Sequence, residues 1–258
     1  MYTKPSSPLP IGGVLDNGFL LYRYCLKETF IFAFLAALIA APFNRMMQGS
    51  AAEPGSPSLV PFVASLAVLA LTILLYTPIV AKVYAIQRGQ HLTLLQALEV
   101  GVRRFPVILG IACLYFLAIV IGLVLLVIPG IYLMVALAFS FIIPVVEWKG
   151  VIDSLKYSRE LVRGQWWRTA ALVTIISIVV GVLYALYGVI VGVAVGFDVG
   201  GSLASGQLLP WYVDLIVNPL MAGFVGPLSY ALFMAVYTDL KLRREGADIA
   251  ERIAAAEA

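Results

Sequence analysis

Residues 149–169 read KGVIDSLKYSRELVRGQWWRT, five basic residues, two acids and a tryptophan pair set between two stretches, 131–146 and 169–197, that carry no charge at all. On a helix at about 100° per residue, Val151, Leu155, Leu161 and Val162 share one face with Ser154 and Ser158. Asp153, Lys156, Arg159, Glu160 and Arg163 occupy the opposite face. A helix of this kind lies in a membrane surface with its apolar side sunk into lipid or against neighbouring spans. Trp166 and Trp167 then mark the headgroup level at which the chain re-enters the bilayer.

Composition places the rest of the chain around that edge. Of 258 residues, 62% are hydrophobic and only 12% are charged, about half the charged share of a soluble domain, which is about 25%. The class is integral membrane and all-α, and a formal charge of +3 gives no reason to expect a nucleic-acid partner. Cys25 and Cys113 provide no disulfide framework, because Cys113 lies inside an apolar run. With His91 as the single histidine, no metal ligand set is assembled, and no cofactor motif is present.

A helix needs about 20 mostly apolar residues to cross a bilayer. Six runs approach that length: 30–43, 59–81, 105–128, 131–146, 169–197 and 211–237. Pro129-Gly130 is a turn pair, and it predicts a tight hairpin between the third and fourth runs. Of the 17 Lys and Arg residues, all but Arg45 fall in connections on one side of these runs. The positive-inside rule makes that side the cytoplasm and places both termini there. The expected organisation is one membrane domain: a cytoplasmic segment 1–29 with an interfacial helix, a six-helix region 30–240 and a cytoplasmic tail 241–258. The inner membrane is the expected location. A signal peptide over 30–41, cleaved near Ser50-Ala51-Ala52, is the competing reading; the long polar lead-in opposes it.

Two further stretches repeat the pattern of the opening one. LTLLQALEVGVRRF sets Leu94, Leu95, Leu98, Val102 and Phe105 against Gln96, Glu99 and Arg103, and GGVLDNGFLLYRYCLKE near the N-terminus is the third. Each has a leucine followed three places later by a small residue: Leu15 and Gly18, Leu98 and Gly101, Leu155 and Ser158. Each precedes an odd-numbered run, so the chain reads as three units of surface helix plus hairpin, an internal repeat.

Few residues offer chemistry. Within the runs, Asp214 is the one ionisable group of the kind that marks ion paths, and no nucleophile has a base predictably in reach; catalysis is not expected. Asn218-Pro219 is a candidate helix break that could line a cavity, or else a packed kink. Gly188, Gly192 and Gly196 form a small-residue stripe for helix packing, against another span or a second copy. Glu147, Arg163, Asp239, Arg243 and Arg244 form a candidate polar cluster, either paired among themselves or gripping a lipid headgroup phosphate. Arg244, Asp248 and Arg252 at helical spacing suggest a self-paired tail.

The segment IPGIYLMVALAFSFIIPVVEWKGVIDSLKYSRELVRGQWWR resembles a bacterial family of multi-pass inner-membrane proteins. It includes YciC-like proteins and the membrane domain fused to some glycerophosphodiester phosphodiesterases. The matching residues are Pro129-Gly130, Glu147, Gly150, Leu155, Ser158, Leu161, Gly164 and Trp166-Trp167. The tail YTDLKLRREGADI adds Tyr237, Asp239, Leu240, Arg243, Arg244, Glu245, Gly246 and Asp248, with Lys241 where Arg is expected and Ala247 where an aromatic is usual. The resemblance covers the last half of the chain well and implies a helical inner-membrane fold. It implies little about activity, because the family is largely uncharacterised. The expected function is a non-catalytic factor in envelope or lipid homeostasis. It would act with membrane lipids and with a membrane-protein partner or a second copy. The alternative is a transporter or channel for a small or lipid-like solute.

Overall fold

The computed structural model describes residues 2–50, 59–125, 127–196 and 210–257. Among them the regular structure is all helical. The helices are α1 (Ile11–Ser50), α2 (Leu59–Gln87), α3 (Leu94–Leu125), α4 (Val127–Ala136), α5 (Ile143–Val146), α6 (Val151–Val162) and α7 (Trp166–Val195). A π-helical turn (Val213–Val217) then leads into α8 (Asn218–Glu257). Among the described residues, five helical segments are long and apolar enough to cross a membrane: Ile11–Arg45, Ser65–Gln87, Leu94–Val124, Trp166–Val195 and Val213–Gly246. The protein is an all-helical, multi-pass membrane protein.

The fourth apolar run does not form one spanning helix. It divides into α4, of 10 residues, a series of turns over 137–142, and α5, of 4. Pro144 has no N–H to offer the Ser140 carbonyl, and Ser158 from α6 takes over backbone groups that the break releases. Its hydroxyl donates to the Ala136 carbonyl at 2.9 Å and accepts the Phe139 N–H at 3.3 Å. Freed backbone groups at membrane depth need such partners. Pro129-Gly130 is not the hairpin turn either, for it lies in the first turn of α4. Gly130 lets α4 close on α3: a Cβ added to Gly122 would stand 3.0 Å from the Gly130 Cα.

Of the three expected surface helices, α6 alone is separate. The first is continuous with its span in α1 and the second with its span in α3. The small residue of each unit nevertheless has one job, seating a neighbouring helix at close range. A Cβ on Gly18 would be 3.1 Å from the Leu232 Cα, and one on Gly101 would be 3.1 Å from the Leu74 carbonyl oxygen. Ser158, 0% exposed, meets Ala136 and Phe139. Each unit thus receives the returning segment of the unit before it, and the first receives the last. Three units close into a ring.

The core of that ring is the antiparallel pair α1 and α8, which pack together along most of their length. Phe30 covers Gly223 and stacks edge-on against Phe224 at 5.1 Å. Cys25, Ala33, Ala231, Leu232 and Val236 fill the interface. By contrast α7 shows Val182, Leu186, Val189, Ile190 and Val193 at its surface, as a helix facing lipid does. Between α5 and α6 the chain reverses at Trp148, whose φ of 55° is a left-handed backbone uncommon for a bulky residue. The Arg104 guanidinium lies 3.9 Å from the centroid of the Trp148 indole and holds it there.

Candidate functional site

At the end of the bundle where α6 and the termini of α1 and α8 meet, the expected polar cluster divides into three. Asp239, 4% exposed, accepts the Leu9 N–H at 2.8 Å. It also accepts from Arg168 at 2.9 Å and from Arg243 at 3.0 Å. The same two arginines donate to the Leu9 carbonyl, at 2.7 and 2.8 Å. Asp239, Arg168 and Arg243 therefore fasten the segment of chain ahead of α1.

Glu147 accepts from the Tyr237 hydroxyl at 2.7 Å and pairs with Lys241. Burial opposes its ionisation, but the hydrogen bonds from Lys241 and Tyr237, with the charges of Lys241 and Lys149, outweigh that and hold its carboxyl below the usual range. Arg244 reaches Glu160 on α6 at 2.9 Å. Arg163 joins none of these. It lines a separate surface cavity of 390 Å³ with Tyr132, Lys156, Arg159 and Glu160.

Nearby, Lys82 is buried inside α2, where it pairs with Glu28 at 2.7 Å and donates to the Leu92 carbonyl at 2.9 Å. Its sequence position, just beyond an apolar run, reads as a surface connection. The side chains of Asp248 and Arg252, like the Ala51-Ala52 pair, lie outside the described residues.

A second site lies at the opposite end of the bundle, where the α7 span meets the π-helical turn. Asp214, 4% exposed, pairs with Arg45 of α1 at 2.8 Å. The Asn218 amide donates to its other oxygen at 3.2 Å, and Tyr187 of α7 donates its hydroxyl to the Asn218 carbonyl oxygen. Asp214, Asn218 and Tyr187 border a cavity of 510 Å³, lined further by Ala37, Ala41, Asn44, Tyr184, Met221 and Ala222. The helix does not break at Asn218-Pro219. It changes from π to α there, and Pro219, which has no N–H to give the turn before it, stands at that junction. A π turn widens the helix and turns Asp214 and Asn218, four residues apart, towards the same cavity.

Sequence reasoning reached Asp214 and Asn218 and missed Tyr187. Arg45, the lone cation of its side, was the available signal for Asp214's partner. The stripe Gly188, Gly192 and Gly196 is not where another described span packs, since a Cβ at any of the three meets nothing within 4 Å. Gly196 instead caps α7 in the left-handed conformation, φ 66°.

Two smaller cavities lie midway along the bundle, of 260 and 360 Å³, walled by Tyr76, Tyr230 and Phe141 with other apolar side chains. No group of three or more metal-ligating side chains forms among the described residues.

Comparison with known proteins gives one kind of neighbour. The chain is 33% identical over 90 residues to a UPF0259 membrane protein of Photorhabdus laumondii subsp. laumondii, an alignment that covers 35% of each chain. No family model matches the sequence, and no solved structure matches it. The likeness supports kinship with a bacterial family of membrane proteins, in accord with the five apolar helices.

Proposed function

We propose that this protein binds a small, hydrogen-bond-donating solute in the cavity at Asp214, and that it is a transporter or channel for that solute. The observation that carries the reading is the buried Asp214 carboxylate, paired with a part-exposed Arg45, on the wall of a 510 Å³ cavity. Ionisable groups within membrane helices are costly and tend to mark substrate or ion paths. A cavity of this size falls within the range of small-molecule sites, about 300–1,000 Å³. Its chemistry favours donors: the Tyr187 hydroxyl donates its hydrogen bond to Asn218, leaving the oxygen lone pairs, and the Asp214 carboxylate is an acceptor. Arg45 balances the charge, so an uncharged polyol or a zwitterionic amine suits the site better than a simple anion.

The test is access. Ala41→Cys or Ala222→Cys, in a Cys113→Ser background with the buried Cys25 kept, is exposed in sealed vesicles to a membrane-impermeant thiol reagent from either side. Glycerol and glycine serve as protecting probes. Labelling from one side, slowed by a probe and no longer slowed in Asn218→Ala, supports the reading. A cysteine that never reacts would mean a dry packing defect and would end it.

The second reading, a non-catalytic factor in envelope or lipid homeostasis working from the cytoplasmic face, is supported by a different observation. The basic surface of α6 holds cations that have no acidic partner among the described residues. Both readings take the protein as an inner-membrane protein with cytoplasmic termini, with the broken α4–α5 run as a further crossing; the distribution of Lys and Arg supports that placement.

A further inference from the structure

The three cations around the α6 cavity set it apart from the other polar groups at that end of the bundle. Lys156, Arg159 and Arg163 are exposed and border a cavity of 390 Å³ against Tyr132 of α4. Among the described residues none of the three has a carboxylate within ion-pair distance. The acid that lines the same cavity, Glu160, is taken by Arg244 at 2.9 Å. Elsewhere at this end the acids are taken up by cations: Asp239 by Arg168 and Arg243, Glu147 by Lys241, Glu28 by Lys82. The cavity thus gathers three cations that no acid among the described residues neutralises.

Its floor is aromatic. Tyr132 stacks on Trp166 at 5.8 Å, and the Trp166 indole N–H donates to the Tyr132 carbonyl at 3.4 Å. Trp167 follows at the surface, 82% exposed. Stacked indole and phenol rings of this kind sit at the depth of lipid headgroups. Arginine and lysine together provide the forked and point-charge donors that a phosphate accepts.

We infer that the Lys156–Arg159–Arg163 cavity binds the phosphate of an anionic phospholipid from the adjoining leaflet. The lipid's acyl chains would run down the exposed apolar surface of α4, past Ile131 and Ile128. This goes beyond the solute site at Asp214 and does not depend on it. It also differs from the cluster expected from sequence, because Arg243 and Arg244 are occupied and Lys156 and Arg159 take their place. Inorganic phosphate shares the recognising chemistry, so the test separates the two sources.

The full chain in mild detergent is titrated with phosphatidylglycerol, with phosphatidylcholine and with inorganic phosphate, and bound species are counted by native mass spectrometry. Three forms are compared: the natural protein, Lys156→Gln/Arg159→Gln/Arg163→Gln, and the charge-matched control Arg23→Gln/Lys27→Gln/Arg103→Gln. The expected result is one phosphatidylglycerol held in preference to phosphatidylcholine and weakened about tenfold or more in the first variant only. Should that triple variant fold poorly, Arg159→Gln alone is expected to weaken the lipid while Arg159→Lys retains it. Equal weakening in the control, equal binding of phosphatidylcholine, or binding of inorganic phosphate with no lipid preference would each overturn the inference.

Discussion

Glu147 shows how a single side chain reports on this structure. Its carboxyl is held below the usual range, against the cost of burial, by Lys241 and Tyr237. A folded value below the unfolded one means that its stabilisation is complete above the unfolded carboxyl value, about 4.3, and is lost as pH falls through the folded one. Unfolding in mild detergent followed against pH is therefore expected to show acid destabilisation in that window. Glu147→Gln should lose about 1–3 kcal/mol at neutral pH and show a shallower acid slope. At the other end, Arg45→Ala leaves Asp214 charged, 4% exposed and without its 2.8 Å partner. That change should cost about 3–5 kcal/mol in the same measurement, and adding Asp214→Asn should recover much of it.

Among the helices, the spans were legible because a run of apolar residues long enough to cross lipid has few other fates. The broken fourth run was not. Nothing in its sequence before Pro144 interrupts an apolar helix; the break is completed by Ser158, which lies 22 residues beyond Ala136. The repeat was visible as a leucine followed by a small residue, but its meaning depends on which helix arrives. Gly18 and Gly101 meet backbone, whereas the glycine stripe of α7, similar on paper, meets nothing. Gly101→Ala should accordingly destabilise by about 1–3 kcal/mol in thermal or chemical unfolding, because the Leu74 carbonyl and the Pro78 ring cannot both give way. Gly188→Ala should be neutral or slightly stabilising, since helix propensity alone favours it. The site at Asp214 was half legible: the chemistry of Asp214 and Asn218 is local, but Tyr187 reaches them only through packing of α7 on α8.

Taken as a whole, the molecule is a closed succession of three units, fastened where its first residues meet its last spanning helix. Asp239 binds Leu9 across 230 residues of sequence, and Arg168 from the third unit joins them. Asp239→Ala would leave two arginines beside a bare backbone carbonyl, and the expected cost is about 3–5 kcal/mol. Deleting residues 2–9 should take the Leu9 carbonyl from the same arginines and, by limited proteolysis, open the start of α1. The cost should be smaller there, because Arg168 and Arg243 would keep Asp239. A ring of this kind has a consequence for the order in which the protein is made. At about 5–20 residues per second, α1 leaves the ribosome about 10–45 s before the segment that seats Gly18 and fastens Leu9 has been synthesised. Throughout that interval the first helix can be inserted but not docked. A nascent chain stopped short of Asp239 would keep its beginning unfastened, however complete its middle.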